Sequence, residues 1–317
     1  MLRGVAVFAA SLAIFAACGG DDGDDDVVPD ADLDADLGDT DADFGDDTDT
    51  GSGTGGGGGT TGQIDISETL PGGFTENTSG ESPSGGWMYV GTVADKGDEK
   101  IPLCANVLRV VVRDMSSDHP DFGQGAESTP NIVTDTLGED RKPVFKGPAD
   151  TVQSADSFNE WYNSVDGVNV PHLVDLWLEP VGETFIFDSA SFFPLNSLGT
   201  TGDDDQKYHD GNRFLFTTEL HTQFEYMGGE TFTFRGDDDV FVYIDGKLAV
   251  NLGGIHGPEQ GSVDLDTFAA ANGLEIGKVY QFDLFQAERK PTGSNFRVET
   301  TLDFSGCSTL IPDVPVN

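Results

Sequence analysis

The sequence contains little positive charge. It has 16 lysine and arginine residues against 57 aspartate and glutamate residues, a formal net charge of −41. A surface this negative repels phosphate backbones, so the composition argues against nucleic acid as a partner. It suits cations and neutral partners such as glycans, although charge that only maintains solubility gives the same composition.

The N-terminus lacks an apolar run long enough to span a bilayer as a helix. Residues 5–17 form a 13-residue apolar run after Arg3, the length of a signal-peptide core. The run ends in Phe15-Ala16-Ala17-Cys18, which resembles a bacterial lipobox, although its first position is usually Leu. We therefore expect a signal peptide at 1–17 and a lipid on Cys18, with secretion and a free Cys18 as the alternative.

Such a lipid anchor implies a location. Several acyl chains on Cys18 would hold the protein stably on a membrane. We expect it in the bacterial cell envelope, at the outer membrane and facing outward, with no other contact with the membrane.

Cysteine is scarce, and no cluster of Cys and His residues suggests zinc. Apart from Cys18, only Cys104 and Cys307 occur. They lie near the two ends of the globular part, and export would place them in an oxidising compartment. We expect a disulfide between them, with two unpaired thiols as the alternative.

The composition divides the chain into an acidic segment and a globular one. Residues 19–50 hold 15 Asp and no Lys or Arg, and too few apolar side chains to fold. We predict that 18–85 is the lipidated cysteine with a disordered tether, 86–311 one folded domain, and 312–317 a tail. The domain is long enough to bury a substantial core.

Strand patterns dominate the globular part, whereas helix signals are few. Apolar alternation and β-branched runs predict strands, and many short antiparallel strands favour a mainly β fold, an antiparallel β-sandwich with a few short helices. Asp245-Gly246 predicts a type I′ hairpin. Ser157 and Glu160 form a capping-box pattern for a helix through Trp161-Tyr162. The predicted strands are 108–113, 173–178, 184–187, 213–218, 231–234, 240–244, 248–250, 278–285 and 295–304.

Three adjacent acids, Asp237, Asp238 and Asp239, separate two of these predicted strands. Like charges this close raise one another's pKa, and a bound cation would remove that cost. Carboxylates and backbone carbonyls are the ligands that Ca²⁺ prefers. We expect calcium at these residues, and the alternative is three solvated turn acids.

The run from about Leu108 to Leu302 resembles the fibro-slime domain, a relative of the PA14 domain. The resemblance implies a PA14-like β-sandwich in which an adjacent Asp-Asp pair holds Ca²⁺ and the ion coordinates sugar hydroxyls. Asp237 and Asp238 match that pair, and Asp239 stands where the family usually has Gly. The stretches that carry the resemblance include 113–114, 117–122, 158–162, 192–195, 216–222, 228–232, 236–247, 252–257, 287–289 and 294–296.

Further candidates for ligand binding lie in two loop regions. Asn251 and His256 follow the predicted hairpin in a Gly-rich loop that could face the same site. Glu288, Arg289 and Asn295 lie in the final hairpin region, where Glu288 and Arg289 could instead pair with each other. We expect the remaining histidines to be structural, namely His119, His172, His209 and His221.

Signatures of common enzymes are missing, since the sequence contains no GxSxG, HExxH or P-loop. We therefore expect no enzyme, but a cell-surface lipoprotein with a Ca²⁺-assisted carbohydrate-binding or adhesive module. Its partner would be a glycan or an extracellular matrix polysaccharide. A structural surface protein that binds other proteins is the alternative, and a polysaccharide-processing enzyme is a third possibility.

Overall fold

The computed structural model describes residues 106–304, except 124, 126–128 and 199–206, together with the backbone of six short strands outside that range. All belong to one compact unit, residues 55–317. Cys18, Cys104 and Cys307 lie outside the described residues, as do the predicted signal peptide and the tail 312–317. No helix in the described part of the chain is long and apolar enough to cross a membrane.

The described residues are built mainly from short strands. The helices are α1 (Ala155–Asn159), α2 (Leu265–Asn272) and one 3-10 turn at Asn196–Leu198. The strands are β1 (Ile64–Ser67), β2 (Phe74–Glu76), β3 (Trp87–Tyr89), β4 (Val93–Lys96), β5 (Glu99–Pro102), β6 (Val107–Met115), β7 (Asn169–Trp177), β8 (Glu179–Val181), β9 (Thr184–Ser189), β10 (Tyr208–His209), β11 (Asn212–Arg213), β12 (Phe216–Tyr226), β13 (Thr231–Gly236), β14 (Asp239–Ile244), β15 (Lys247–Leu252), β16 (Glu259–Asp264), β17 (Lys278–Glu288), β18 (Phe296–Thr300) and β19 (Thr309–Leu310).

Two antiparallel sheets form the body of the domain. The larger has the order β1-β7-β6-β12-β17-β14-β15, and the smaller has the order β16-β13-β18-β9-β8. Small sheets of two or three strands pair β10 with β11, β4 with β5, and β19 with β3 and β2. The predicted mainly β fold, an antiparallel sandwich with few helices, is confirmed.

The first strand lies earlier in the chain than the sequence predicted. β1 pairs in register with β7, from Ile64 opposite Leu176 to Ser67 opposite Leu173. The sheet therefore begins inside the range 18–85 that the sequence assigned to the tether. Ile64 and Ile66 alternate with the polar residues Asp65 and Ser67, which is a strand pattern. It is only four residues long and follows a Gly-rich stretch, so it was not predicted as a strand.

The two-residue period of a strand sends side chains of the large sheet into two separate cores. On β17, Phe282 and Leu284 face the small sheet and pack in the core between the sheets. Phe285 and Ala287 face the opposite way and belong to a second cluster. The outer face of the large sheet is therefore buried as well.

The segment 116–168 between β6 and β7, the covering segment, buries that outer face. It contributes aromatic side chains such as Phe122, Phe158 and Trp161, which are all at most 2% exposed. The Thr217 hydroxyl on β12 donates to the backbone carbonyl of Trp161 at 2.6 Å, which ties the covering segment to the sheet. The domain thus has a third layer, in which the described residues form α1 and a few isolated β-bridges.

The sequence predicted the hairpin turn correctly, but it placed the start of the first helix at the wrong residue. Asp245 and Gly246 have φ of 51° and 69°, as a type I′ turn between β14 and β15 requires. The cap of α1 is Ser154, and Ser157 is the third helical residue that completes the capping box. The predicted cap at Ser157 was therefore wrong by three residues, and Trp161 lies beyond the helix.

Candidate functional site

The connection from β13 to β14 carries the acidic run and lies at one end of the sandwich. The peptide bond between Asp237 and Asp238 is cis. Gly236 precedes it, and a Cβ there would lie 2.4 Å from the backbone oxygen of Asn295. Only glycine therefore allows the 295 backbone to approach this closely.

Asp237 is held by the chain that enters β18. Its carboxylate accepts hydrogen bonds from the backbone N–H of Asn295 at 2.5 Å and from Asn295 Nδ2 at 2.9 Å. Gln286 Nε2 donates to the backbone oxygen of Asp237 at 2.9 Å. The carboxylate is thereby fixed in one orientation, while lone pairs remain on both of its oxygens.

Asp238 is held by two other loops. Its Oδ1 accepts from the backbone N–H of His256 at 3.2 Å, and its Oδ2 accepts from the backbone N–H of Arg289 at 3.0 Å. No positively charged side chain is hydrogen-bonded to this carboxylate in the described part of the chain. Its hydrogen bonds therefore come from backbone N–H groups, and the nearby Arg289 guanidinium, which pairs with Asp239, offsets its charge only in part.

Asp239 points away from its two neighbours, contrary to the prediction of three metal ligands. As the first residue of β14 it faces the covering segment, and its Oδ2 accepts from Arg289 Nε at 2.7 Å. Its Oδ1 accepts from the backbone N–H of Gly254. Both side chains of this ion pair are fully buried, so Asp239 has a structural contact where a metal ligand was expected.

The Arg289 side chain also serves the fold, because it is buried beneath the covering segment and does not line the pocket. Its guanidinium lies 4.7 Å above the ring of Trp161 and donates to the carbonyl oxygens of Asp121 and Thr151. The predicted alternative, a pair between Glu288 and Arg289, is therefore wrong: Arg289, the residue directly after β17, pairs with Asp239 instead.

Glu288 is a buried carboxyl group without a hydrogen-bond partner. It is 0% exposed, and neither of its side-chain oxygens makes a hydrogen bond, although the Ser294 hydroxyl approaches them. Burial and the charges of Asp238 and Asp237 raise its pKa well above the ordinary value. Burial and the neighbouring negative charges thus disfavour the ionised form of Glu288, and a nearby cation would favour it.

The acidic pair itself shows the same electrostatic imbalance. Burial, with the charge of Asp239 adding to it, raises the pKa of Asp238 to about 7. Burial also raises the pKa of Asp237, although the hydrogen bonds from Asn295 oppose the shift. Three carboxyl groups with raised pKa values therefore lie together at this end of the sandwich.

A pocket of about 230 Å³ opens above the acidic pair. Two of the predicted ligand-binding residues, His256 and Asn295, line it, whereas Asn251 does not. His256 Nδ1 is 2.8 Å from the carbonyl oxygen of Gly257, which assigns the proton to Nδ1, and its buried Nε2 has no partner. The lining residues are Asp237, Asp238, Ile255, His256, Gly257, Pro258, Lys290, Thr292, Gly293 and Asn295.

These residues fit a hard cation better than a transition metal. Asp237, Asp238 and the amide group of Asn295 supply oxygen donors, and the unpartnered Glu288 lies behind them. Among the described residues, no group of three or more His, Cys, Asp or Glu side chains forms a complete metal site. Two carboxylates would thus need amide, backbone, water or ligand oxygens to complete a calcium shell.

Lys290 lines the pocket but was not among the predicted site residues. It forms no ion pair with any carboxylate in the described ranges, unlike most cationic side chains there. Its position directly after Arg289 was the available signal, because a strand that ends at 288 places the next residues in the loop beside the acidic pair.

The four remaining histidines lie away from the pocket. His119 is buried, with its Nε2 3.2 Å from Glu160 Oε2, and burial lowers its pKa. His221 is buried between Glu219 and Asp283 on the outer face of the large sheet. His209 is exposed beside Asp210, and His172 lies on β7.

Comparisons with known proteins place the chain beside a group of Dictyostelium discoideum proteins. No family model matches it. Protein psiD is 37% identical over 189 residues, which are 56% of this chain and 36% of psiD. Protein psiJ is 34% identical over 235 residues, or 65% of this chain and 31% of psiJ. The chain thus spans about a third of these relatives' length.

Solved structures that match include two PA14 domains. One is a PA14 sugar-binding domain from an RTX adhesin, with 10% identity and a TM-score of 0.28, covering 65% of this chain and 99% of that domain. The other is the PA14 domain of an antifreeze protein, with 10% identity and a TM-score of 0.28, covering 70% and 93%. The strand order of the two sheets shows the antiparallel sandwich independently of these similarities.

Proposed function

We propose that this domain binds carbohydrate through a Ca²⁺ ion held by Asp237 and Asp238. The observation that carries the proposal is the pair of adjacent carboxylates, both fixed by hydrogen bonds and both with a raised pKa, at the base of an open pocket. A divalent cation would offset this crowded negative charge and favour the ionised form of both groups.

The pocket has the chemistry that a sugar would require. Oxygen atoms of Asp237, Asp238 and Asn295 would hold one side of the ion, and sugar hydroxyls would complete its coordination. His256 offers an unpartnered ring nitrogen as an acceptor, and Lys290 offers a donor at the rim. A bound ion would thus orient the ligand without any step of covalent catalysis, which is the role of a binding module.

The remaining parts of the chain support a role at the cell surface. The lipobox-like motif at Cys18 would anchor the protein, and the acidic segment after it would hold the domain away from the membrane. The resemblance of residues 236–247 to the fibro-slime domain supports the same role. We therefore propose a bacterial cell-surface lipoprotein, facing outward from the outer membrane, whose partner is a glycan or matrix polysaccharide.

A glycan array tests the proposal. The protein should bind a defined set of glycans in CaCl₂ and lose that binding in EDTA. Asp238→Asn should abolish the same signals, since it removes one charge from the ion's shell. Asp245→Asn is the matched control, because Asp245 is exposed in the hairpin turn away from the pocket. An array without chelator-sensitive signals would contradict the proposal and favour a protein partner.

A further inference from the structure

A second cluster of reactive side chains lies between the large sheet and the covering segment. Lys142 and Asn163 belong to the covering segment, and Glu219 lies on β12; their exposed fractions are 2%, 1% and 2%. Lys142 Nζ is 3.0 Å from Asn163 Oδ1 and 3.7 Å from Glu219 Oε1. A primary amine, a carboxamide and a carboxylate thus meet in a site closed to water.

The carboxamide is held with its carbonyl end toward the lysine. Asn163 Nδ2 donates to the backbone oxygen of Asn159 at 2.9 Å and to Asn159 Oδ1 at 3.1 Å. Because a backbone carbonyl only accepts, these contacts fix which end of the amide is nitrogen. The carbonyl oxygen of Asn163 therefore accepts a hydrogen bond from Lys142 Nζ, which places the amine beside the carboxamide that it would attack.

We propose that Lys142 and Asn163 form a covalent amide cross-link. Lys142 Nζ attacks Asn163 Cγ, the new Nζ–Cγ bond replaces the Cγ–Nδ2 bond, and Nδ2 leaves as ammonia. The Lys142 ammonium first gives one proton to Glu219, which frees the Nζ lone pair for the attack. The second proton that Nζ loses goes to Nδ2, and the ammonia formed carries away the proton from Glu219 as ammonium. The reaction is redox-neutral and needs no co-reactant, since every atom comes from the three side chains.

The surroundings suit this chemistry. The cluster has an aromatic wall, in which the Tyr162 and Phe285 rings lie 5.0 Å apart, and this wall keeps out the water that would compete as a nucleophile. Burial tends to raise the pKa of Glu219, but Lys142 and Arg113 lower it overall, so the group is an ionised proton acceptor. A weak base is sufficient because each molecule reacts only once.

The cross-link would close a loop within the covering segment. Residues 142 and 163 are 21 positions apart, and α1 lies between them. A covalent link across this span would remove conformational entropy from the unfolded chain, as a disulfide does, without depending on a redox environment. The cross-link would therefore stabilise the layer that has the least regular structure.

Mass spectrometry of the full-length protein decides the proposal. After denaturation and tryptic digestion, we expect residues 142 and 163 in one branched peptide that is lighter by one ammonia molecule than its two linear components. Recovery of both components only as separate linear peptides would overturn the proposal. This result needs no variant, so it does not depend on whether a substituted protein folds.

Three variants and one control sharpen the test. Lys142→Arg and Glu219→Gln should yield only linear peptides, whereas Asn163→Asp should yield the same branched peptide by loss of water. Lys146→Arg is the control: Lys146 is an exposed neighbour, 3.8 Å from Asp135, and the branched peptide should persist. A branched peptide in Lys142→Arg would assign the cross-link to another lysine and overturn the proposal.

Discussion

The domain buries two clusters of charge that differ in how the charge is balanced. On the outer face of the large sheet, Glu219 pairs with Arg113 and Asp283 pairs with Arg141, with His221 between the two carboxylates. At the end of the sandwich, no cationic side chain among the described residues forms an ion pair with Asp237 or Asp238. In the first cluster, which we call the paired network, both carboxylates have cationic partners. In the second, which we call the acidic pair, neither carboxylate has one in the described part of the chain.

The pKa values of the two clusters express this difference. Glu219 and Asp238 are both almost fully buried. Burial alone would raise both values, but Lys142 and Arg113 lower the pKa of Glu219, while Asp239 adds to the rise at Asp238. Buried charge is therefore a sign of structure where partners are present, and a sign of a binding site where they are missing.

The largest effect is expected from breaking the paired network. Glu219→Ala leaves Arg113 and Lys142 as buried cations without their carboxylate, which should lower the free energy of unfolding by about 3–5 kcal/mol. Urea unfolding followed by tryptophan fluorescence measures it. A loss below about 1 kcal/mol would mean that the network contributes little, as exposed pairs do.

The acidic pair should give stability an unusual pH dependence when calcium is removed. A raised carboxyl pKa means that the folded state binds the proton more tightly than the unfolded chain does. The protonated carboxyl group therefore stabilises the folded state below about pH 4, and this contribution is lost as pH rises to about 7. For Asp238 the loss lowers the free energy of unfolding by roughly 3–4 kcal/mol.

Urea unfolding in EDTA at about pH 5 and about pH 8 checks this trend. Stability should be lower at the higher pH, and Asp238→Asn should reduce the difference, with Asp237 and Glu288 accounting for what remains. Saturating CaCl₂ should remove the difference, because the ion favours the ionised carboxylates. Equal stability at both pH values in EDTA would contradict the assignment of uncompensated charge to this site.

Calcium should stabilise the folded domain by a smaller amount. At a free concentration about 100-fold above Kd, a ligand that binds only the folded state adds about 2.7 kcal/mol. Thermal melting in CaCl₂ and in EDTA measures the shift, which Asp237→Asn should reduce. The paired network gives the control, since Arg141→Lys lies on the other face and should leave the calcium-induced shift unchanged.

The smallest effect is expected at a surface pair. Arg297 pairs with Asp188 and Glu299 between β18 and β9, and all three side chains are more than a quarter exposed. Asp188→Asn should cost less than about 1 kcal/mol, because water and salt screen the pair. A cost as large as that of Glu219→Ala would show that burial is not what separates these clusters.

The sequence predicted the sheets and the acidic loop because both depend on local patterns. Alternating residues identified β12 to β15 and β17, and Asp245-Gly246 identified the hairpin. The direction of Asp239 followed the same rule, since the second residue before Phe241 shares its face. The sequence could not show that this outer face of the large sheet is buried. The segment that covers it has no repeating pattern of apolar residues that would predict a packed layer.

The sequence could not predict which acidic and basic side chains form ion pairs. Arg289 reaches Asp239 across 50 positions, and Arg113 reaches Glu219 across 106. Such contacts depend on which strands are neighbours, and many topologies suit the same strand pattern. For the same reason, the sequence could not predict that Lys142, Asn163 and Glu219 lie together, because this contact depends on how the covering segment packs on the sheet.

The most direct test of the account is a calorimetric titration of calcium into chelator-stripped protein. We expect one Ca²⁺ per chain to bind the wild type, and no binding to this site in Asp237→Asn/Asp238→Asn. Protons released on binding near neutral pH should make the observed enthalpy depend on the ionisation enthalpy of the buffer. Magnesium gives the comparison for an oxygen-rich site. Wild-type protein that binds no calcium, or that binds it equally well without both carboxylates, would contradict the claim that the acidic pair is a cation site.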